Sequence, residues 1–259
     1  MKYPCFNEEK KLWKQGYDFV VGLDEAGRGP LAGPVVAAAV MIKPKRLFFQ
    51  KISARRSAKI FNKNFGIRDS KKLSEKQREF FYKKLTNHKG IKWGVGIVSE
   101  KIIDKINILE ATKLAMQKAL RDLKINQSNT FAKSSPTFNG REKRENFIKA
   151  DFLLIDGNFK LLEGLTSQYL RGQTLSHLSG KEKPIIKGDQ KVFSIAAASI
   201  IAKVTRDRIM KKMHKKYPNY GFDKHKGYGT FLHLKNLNNF GPCKTHRKSF
   251  FPVSELIHT

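Results

Sequence analysis

The chain is organised around the segment Phe19-Val20-Val21-Gly22-Leu23-Asp24-Glu25-Ala26-Gly27-Arg28-Gly29-Pro30. Its apolar, β-branched beginning at Phe19–Leu23 predicts a buried strand. Asp24 and Glu25 follow, and α/β proteins often place their chemistry where sheet strands end. Gly27 and Gly29 leave main-chain N–H groups open to close approach. Acids beside a basic, glycine-lined loop suggest a metal site that handles phosphate, although an Asp-Glu pair before glycine is by itself more typical of a solvated turn.

The strongest global signal is charge. The 259 residues include 52 Lys and Arg against 22 Asp and Glu, a formal net charge of +30. This excess favours a polyanionic partner, nucleic acid above all, although lysine bias in the source genome would also raise it. We find neither an apolar run long enough for a membrane span nor a signal-peptide pattern, so we expect a cytoplasmic protein. Cys5 and Cys243 are expected to be free thiols.

Further apolar runs predict the other strands of an α/β sheet. These runs cover residues 35–42, 92–98, 152–155 and, less regularly, 184–189. The first of them would form a hairpin with the opening strand. Asp156 follows the third run and Asp189 ends the fourth, so the pattern of an apolar run followed by a carboxylate recurs along the chain.

Periodicity and capping signals predict three long helices. Ser74 and Gln77 form a capping-box pattern before a helix whose apolar face would carry Phe80, Phe81 and Leu85. A second helix is expected to open near Asn107 with Glu110 at the capping position, and its core stripe would comprise Leu109, Thr112, Met116, Leu120 and Leu123. The third runs from Val192 to about Lys216 and is rich in small residues.

Three basic stretches, at residues 43–63, 126–149 and 160–183, are interpreted as inserts. They would interrupt a catalytic domain over residues 1–216, which a helix-loop extension over residues 217–259 follows and assists in substrate binding. The first insert is expected to raise affinity for any duplex, with a correspondingly steep salt dependence.

The repeated carboxylates predict a metal site. Gathered at one end of a sheet, Asp24, Glu25, Asp156 and Asp189 would repel one another unless cations neutralised them. Oxygen-only ligands suit Mg²⁺ or Mn²⁺ and not zinc. Two such ions can activate a water and stabilise the leaving oxygen at a phosphodiester. In a basic chain, this combination predicts metal-dependent hydrolysis of nucleic acid.

Several blocks of the sequence resemble the motifs of the ribonuclease HII family. The blocks occur in family order over about residues 18 to 252: Gly22–Pro30, Asp69–Leu73, Ile155–Asn158, Lys187–Asp189, Ala196–Asp207 and His225–Thr230. The resemblance implies an RNase H-like α/β fold, a mixed β-sheet flanked by helices, with a C-terminal helical extension. The related ribonuclease HIII type carries an additional N-terminal domain, which the 18 residues before the first strand do not match.

The resemblance also implies an activity. The family hydrolyses the RNA strand of RNA–DNA hybrids and cuts 5′ of ribonucleotides embedded in duplex DNA, leaving 3′-hydroxyl and 5′-phosphate ends. The resemblance implies a site for two Mg²⁺ or Mn²⁺ ions, with Asp24, Glu25, Asp156 and Asp189 as the metal ligands. We expect a monomer that needs no protein partner. The insert between Asp156 and Asp189 lengthens the segment that joins them, so the assignment of Asp189 depends most on how this segment folds.

Substrate contacts follow from the same resemblance. Gly27, Arg28 and Gly29 match the segment whose backbone reads the 2′-hydroxyl, the group that separates RNA from DNA. Tyr228 matches the residue that packs against the neighbouring deoxyribose. Further expected contacts are Lys71, Lys72, Lys203 and Arg206, whereas Asp207 is expected to form ion pairs. The alternative is a basic hybrid- or duplex-binding protein without catalysis, which would have no use for carboxylates facing phosphate.

Overall fold

The fold is built on a mixed five-stranded sheet. A computed structural model describes residues 3–42, 67, 70, 73–125, 150–162 and 181–257. The strands are β1 (Val20–Ala26), β2 (Val35–Ile42), β3 (Ile91–Val98), β4 (Phe152–Asp156) and β5 (Glu182–Ile185). Their order in the sheet is β3-β2-β1-β4-β5. The predicted inserts at 43–63 and 126–149, and most of that at 160–183, lie outside the described residues, as do Lys71 and Lys72.

The central strand β1 joins two kinds of pairing. It is antiparallel to β2, which confirms the predicted hairpin, and parallel to β4, with Leu23 opposite Ile155. The carboxyl ends of β1, β4 and β5 therefore meet at one edge of the sheet. One expectation is corrected: Asp24 and Glu25 do not follow β1 but lie within it, because the ladder to β2 continues through both residues.

Helices cover both faces of the sheet. They are α1 (Asn7–Lys14), α2 (Glu75–Thr86), α3 (Glu100–Ile125), α4 (Phe193–Lys216), α5 (Phe222–His225) and α6 (Phe231–Phe240). One apolar cluster joins the sheet to α3, and a second joins it to α2 and α4. These clusters bury alternate residues of β2 on opposite faces, as expected for a strand covered on both sides.

Glycines let the two long helices approach the sheet closely. A Cβ added to Gly22 on β1 would lie 2.5 Å from the main-chain carbon of Ser194 on α4. On the other face, a Cβ at Gly96 would lie 1.9 Å from the carbonyl oxygen of Ala115 on α3. The strand β1, which carries the first two predicted acids, is therefore held in direct backbone contact with α4.

Two predicted helices differ from the structure in detail. The capping box of Ser74 and Gln77 is present, but Phe80 is 59% exposed and does not belong to the core face of α2. The helix α3 begins at Glu100 and is kinked at Asn107, whose φ of 64° breaks the helical path. The Asn107 side chain accepts hydrogen bonds from the N–H groups of Leu109 and Glu110, so Asn107 caps a second segment that opens where the sequence predicts, with Glu110 three residues after the cap.

The run over residues 184–189 is not a continuous strand. Strand β5 ends at Ile185, and Lys187 adopts a left-handed conformation with φ of 56°. Asp189 then lies in a short 3₁₀ turn, Gly188–Gln190. Both cysteines are free, as expected. Within the described ranges, the helices are all too short or too polar to cross a bilayer.

Candidate active site

The edge of the sheet where β1 and β4 end opens onto a cleft of about 380 Å³. Its walls include most of the residues that the sequence analysis singled out: Asp24, Glu25, Gly27, Arg28, Gly29, Asp156, Asp189, Lys203 and Tyr228. Residues from the two halves of the chain therefore meet in one place. Ser70 and Ser199 also line the cleft, and the sequence analysis had given them no role.

Asp24 is the most buried of the predicted acids, with 4% of its surface exposed. Its Oδ1 accepts a hydrogen bond of 2.7 Å from the N–H of Glu25. Burial raises the pKa of Asp24 well above its usual value, and the charges of Glu25 and Asp156 raise it further. Burial, and after it the neighbouring carboxylates, therefore disfavour the charged form of Asp24, and a bound cation would offset both effects.

Two serines form a chain of hydrogen bonds that ends on Asp24. Ser199 on α4 forms a side-chain hydrogen bond to Asp24, which opposes the rise in the pKa of that carboxyl. The hydroxyl oxygens of Ser199 and Ser70 lie 2.8 Å apart. Because the Ser199 proton is directed to the carboxylate, Ser70 is the donor of this second bond. A serine within the buried alanine run of α4 was the available signal, and Ser70 lies within a block that carried the resemblance.

Asp156 and Asp189 are brought together by a glycine. The Oδ1 of Asp156, at the end of β4, accepts a hydrogen bond of 2.6 Å from the N–H of Gly188. A Cβ at Gly188 would lie 2.7 Å from Cδ1 of Ile195, so a larger residue at this point in the turn would have to displace the Ile195 side chain. This turn carries the buried Asp189 into the cleft, and the long insert after Asp156 does not prevent the approach.

Basic side chains surround the acids. Nη1 of Arg28 lies 3.4 Å from Oε1 of Glu25. Lys203 lines the cleft and forms an ion pair of 2.7 Å with Asp207, one turn further along α4. Asp207 also lies 3.8 Å from Arg78 of α2. These contacts confirm ion pairing for Asp207 and place it outside the acid set of the cleft.

The expected role of Arg206 as a substrate contact is wrong. Its side chain is fully buried, and all three guanidinium nitrogens donate to main-chain carbonyls. The acceptors are Pro34 (3.0 Å), Lys226 (3.0 Å) and Ala32 (3.1 Å). Because every donor group points into the protein, Arg206 joins loops to one another and does not reach the cleft.

The cleft has the donor chemistry for a hard divalent cation. Its acids offer carboxylate oxygens, the ligands that Mg²⁺ and Mn²⁺ prefer, and neither histidine nor cysteine lines it. Within the part of the chain that the structure describes, no three acidic, histidine or cysteine side chains converge as a finished metal centre. The residues fit the group by type and by shared location, since carboxylates that line one cleft repel one another unless a cation offsets their charge.

Comparison with known proteins identifies the family and supports the fold. The profile of the family described as Ribonuclease HII matches residues 21–253. Ribonuclease HII of Chlamydia muridarum is 47% identical over 249 residues, which cover 96% of this chain and 89% of that protein. Ribonuclease HII of Acetivibrio thermocellus is 43% identical, over 93% of this chain and 73% of that protein.

Solved structures show the same fold. Ribonuclease H2 from Pyrococcus horikoshii OT3 superposes with a TM-score of 0.56 at 26% identity, covering 92% of this chain and 97% of the other. Bst-RNase HIII in complex with Mn²⁺ superposes with a TM-score of 0.57 at 16% identity, covering 92% of this chain and 69% of the other. The RNase H-like architecture expected from the sequence is thereby confirmed. This chain belongs to the ribonuclease HII family, nucleases that act on RNA–DNA hybrids.

Proposed function

We propose that the chain is a metal-dependent endonuclease that hydrolyses the RNA strand of hybrids and cuts 5′ of ribonucleotides embedded in duplex DNA. The products would carry 3′-hydroxyl and 5′-phosphate ends, and the enzyme would act as a monomer. One observation carries the proposal: a single cleft holds the carboxylates of Asp24, Glu25, Asp156 and Asp189 beside the segment of residues 27–29. A site for cutting and a site for reading the sugar are thus adjacent.

The acids serve the reaction by holding cations. When bound, two Mg²⁺ or Mn²⁺ ions would offset the charge of the phosphodiester and promote attack by water. Asp24 and Asp156 are prepared for this role because backbone N–H groups fix one oxygen of each carboxylate. In the hydrolysis, the water oxygen bonds to phosphorus, the bond from phosphorus to the 3′-oxygen breaks, and that oxygen leaves with a proton.

The rest of the cleft supplies recognition. The backbone of residues 27–29 would bond the 2′-hydroxyl, which DNA lacks. The ring of Tyr228, 43% exposed at the cleft wall, would pack against the next deoxyribose. Lys203 and the exposed guanidinium of Arg28 add positive charge close to the acids, which favours the approach of a phosphate backbone.

The test uses a labelled DNA duplex that carries one ribonucleotide. The protein is incubated with it in Mg²⁺ or Mn²⁺, beside an all-DNA duplex and the variants Asp24→Asn and Asp223→Asn. Asp223 is a partly exposed carboxylate on α5 and lies outside the cleft. Asp223→Asn therefore makes the same change from aspartate to asparagine as Asp24→Asn, but away from the proposed metal ligands. We expect metal-dependent cutting 5′ of the ribonucleotide by the wild type and Asp223→Asn, and none by Asp24→Asn or on the DNA control. Tight binding without cutting in either metal would instead identify a non-catalytic duplex-binding protein.

A further inference from the structure

Arg247, in the C-terminal extension, is fully buried. It lies behind the loop of residues 27–33 and donates hydrogen bonds to three main-chain carbonyls of that loop. Its Nε donates to Gly33 (3.0 Å), Nη1 to Arg28 (2.8 Å) and Nη2 to Gly27 (2.5 Å). Buried charges are ordinarily paired with an opposite charge. Among the described residues no carboxylate forms an ion pair with Arg247, so the loop carbonyls are its partners.

These bonds fix the direction of two peptide units. In a trans peptide the C=O and N–H groups point in opposite directions. The carbonyl of Gly27 shares its peptide unit with the N–H of Arg28, and the carbonyl of Arg28 shares one with the N–H of Gly29. Since both carbonyls are directed at Arg247, both N–H groups are directed away from it. Within the described chain neither N–H donates a hydrogen bond, and residues 27–29 line the cleft.

Arg206 holds the facing wall in a similar way. It donates to the carbonyl of Lys226, two residues before Tyr228, and its guanidinium carbon lies 5.9 Å from the centre of the Tyr228 ring. A Cβ at Gly27 would lie 2.1 Å from Nε of Arg206, so the glycine is needed for packing against this arginine as well as for its φ of 99°. The guanidinium group of Arg247 thus lies behind residues 27–29, and that of Arg206 lies behind Tyr228, which are the two parts of the cleft wall proposed to contact the sugars.

We propose that Arg247 is a positioning residue that determines selectivity for ribose, because it holds the N–H groups of Arg28 and Gly29 toward the substrate. The inference rests on the proposed function, in which these groups bond the 2′-hydroxyl. A lysine at position 247 would keep the charge but lose the planar fork that bonds two carbonyls at once. The loop carbonyls would then be free to rotate, and the N–H groups would rotate with them.

The experiment compares Arg247→Lys and Arg247→Gln with wild type and with Arg208→Lys, a change at an exposed arginine of α4. Two quantities are measured for each protein: kcat/KM on a duplex with one ribonucleotide, and the inhibition constant of the same duplex in all-DNA form. The ratio of kcat/KM to the affinity for the all-DNA duplex, which is the reciprocal of the inhibition constant, reports selectivity. Because loss of folded protein lowers kcat/KM but not the inhibition constant, kcat/KM is calculated per folded enzyme, with the folded fraction of each variant measured by circular dichroism. We expect the ratio to fall about tenfold or more in both Arg247 variants, at a nearly constant inhibition constant, and to be unchanged in Arg208→Lys.

An unchanged ratio with lowered thermal stability would overturn the inference and reduce Arg247 to a structural contact. A measurement on protein with Arg247 intact covers the case in which neither variant folds: amide hydrogen exchange at Arg28 and Gly29 in the Asp24→Asn protein, which is expected to bind the duplex without cutting it. The ribonucleotide duplex should slow exchange at both N–H groups, and the all-DNA duplex should not; equal protection would contradict the inference. If the wild type fails to prefer the ribonucleotide duplex at all, the proposed function itself falls, which is a distinct result.

Discussion

The Nε2 atoms of His233 and His246 lie 3.0 Å apart in the interior of the C-terminal extension. The bonds on either side settle which atom carries the proton. The Nδ1 of His246 accepts from the N–H of Cys243, and the Nδ1 of His233 donates to the carbonyl of Tyr228. Therefore His246 donates through Nε2, His233 accepts there, and the chain of bonds ends on the residue proposed to pack against deoxyribose.

This pair predicts loss of stability in acid. Burial lowers the pKa of both histidines to about 4, from 6.5; His225 adds to the shift of both, and His233 adds to that of His246. Below pH 6.5 the unfolded chain binds protons that the folded pair does not, so stability is complete above pH 6.5 and declines toward pH 4. The expected loss at pH 4.5 is on the order of 5 kcal/mol for the pair, between about 2 and 3 for each histidine, measured by urea unfolding across this pH range.

The control for this prediction is a double variant, His233→Asn with His246→Asn. An asparagine amide can accept from Cys243 or donate to Tyr228, but it does not titrate. The double variant should therefore be less dependent on pH between 6.5 and 4, whatever its stability at neutral pH. If its free energy of unfolding falls with acid as steeply as in the wild type, other groups are responsible.

Substitution of Gly96 should be costly. In Gly96→Ala the new methyl would collide with main-chain atoms of α3, the nearest at 1.9 Å, and backbone cannot move aside as a flexible side chain can. We expect the free energy of unfolding to fall by about 3 kcal/mol. Gly16→Ala is the matched control, because nothing lies within 4 Å of its Cβ and only its φ of 96° opposes the change, at about 1 kcal/mol. Equal losses in urea unfolding would show that the close approach of α3 is unimportant.

The sequence predicted the elements whose burial is local and periodic. Every residue of Val35–Ile42 is buried, and the apolar run gave β2 its observed bounds. That four acids meet in one cleft was likewise predictable, because each ends or follows an apolar run. Arg247 was not, since its partners Gly27 and Arg28 lie more than 200 residues away and come within reach only when the C-terminal extension closes on the loop. Arg206 was misassigned for the same reason. A basic residue on a helix is ordinarily predicted to be exposed, and the three main-chain carbonyls that bury Arg206 come from segments distant in the sequence.

Removal of the Asp24 charge should stabilise the protein while it abolishes cutting. Asp24 is buried among other acids, and Asn keeps an oxygen that can accept from the N–H of Glu25. In metal-free buffer at pH 7 we expect Asp24→Asn to raise the melting temperature by about 2–4 °C, which corresponds to roughly 1 kcal/mol. Asp207→Asn should do the opposite, because it leaves Lys203 and Arg78 without their shared carboxylate. A lower melting temperature in Asp24→Asn would mean that the acids do not repel one another as the cleft suggests.

The contribution of Tyr228 should come from its ring and not from its hydroxyl. The ring is 43% exposed at the cleft wall, with its main-chain carbonyl held by His233 and the guanidinium of Arg206 behind it. Tyr228→Ala should lower kcat/KM on the single-ribonucleotide duplex by about 10- to 100-fold, the range expected when an aromatic contact with a nucleotide is lost. Tyr228→Phe should stay within about threefold of the wild type, because it retains the apolar face that would meet the sugar.

Phe240→Ala removes an aromatic side chain that is 55% exposed on α6, and it serves as the control for general loss of surface. It should leave kcat/KM on the ribonucleotide duplex unchanged. Melting temperatures of all three variants, measured in parallel, exclude an effect of unfolding. Should Tyr228→Phe lose as much activity as Tyr228→Ala, the hydroxyl would be the group that acts, and recognition would depend on a hydrogen bond from this residue instead of packing against the deoxyribose.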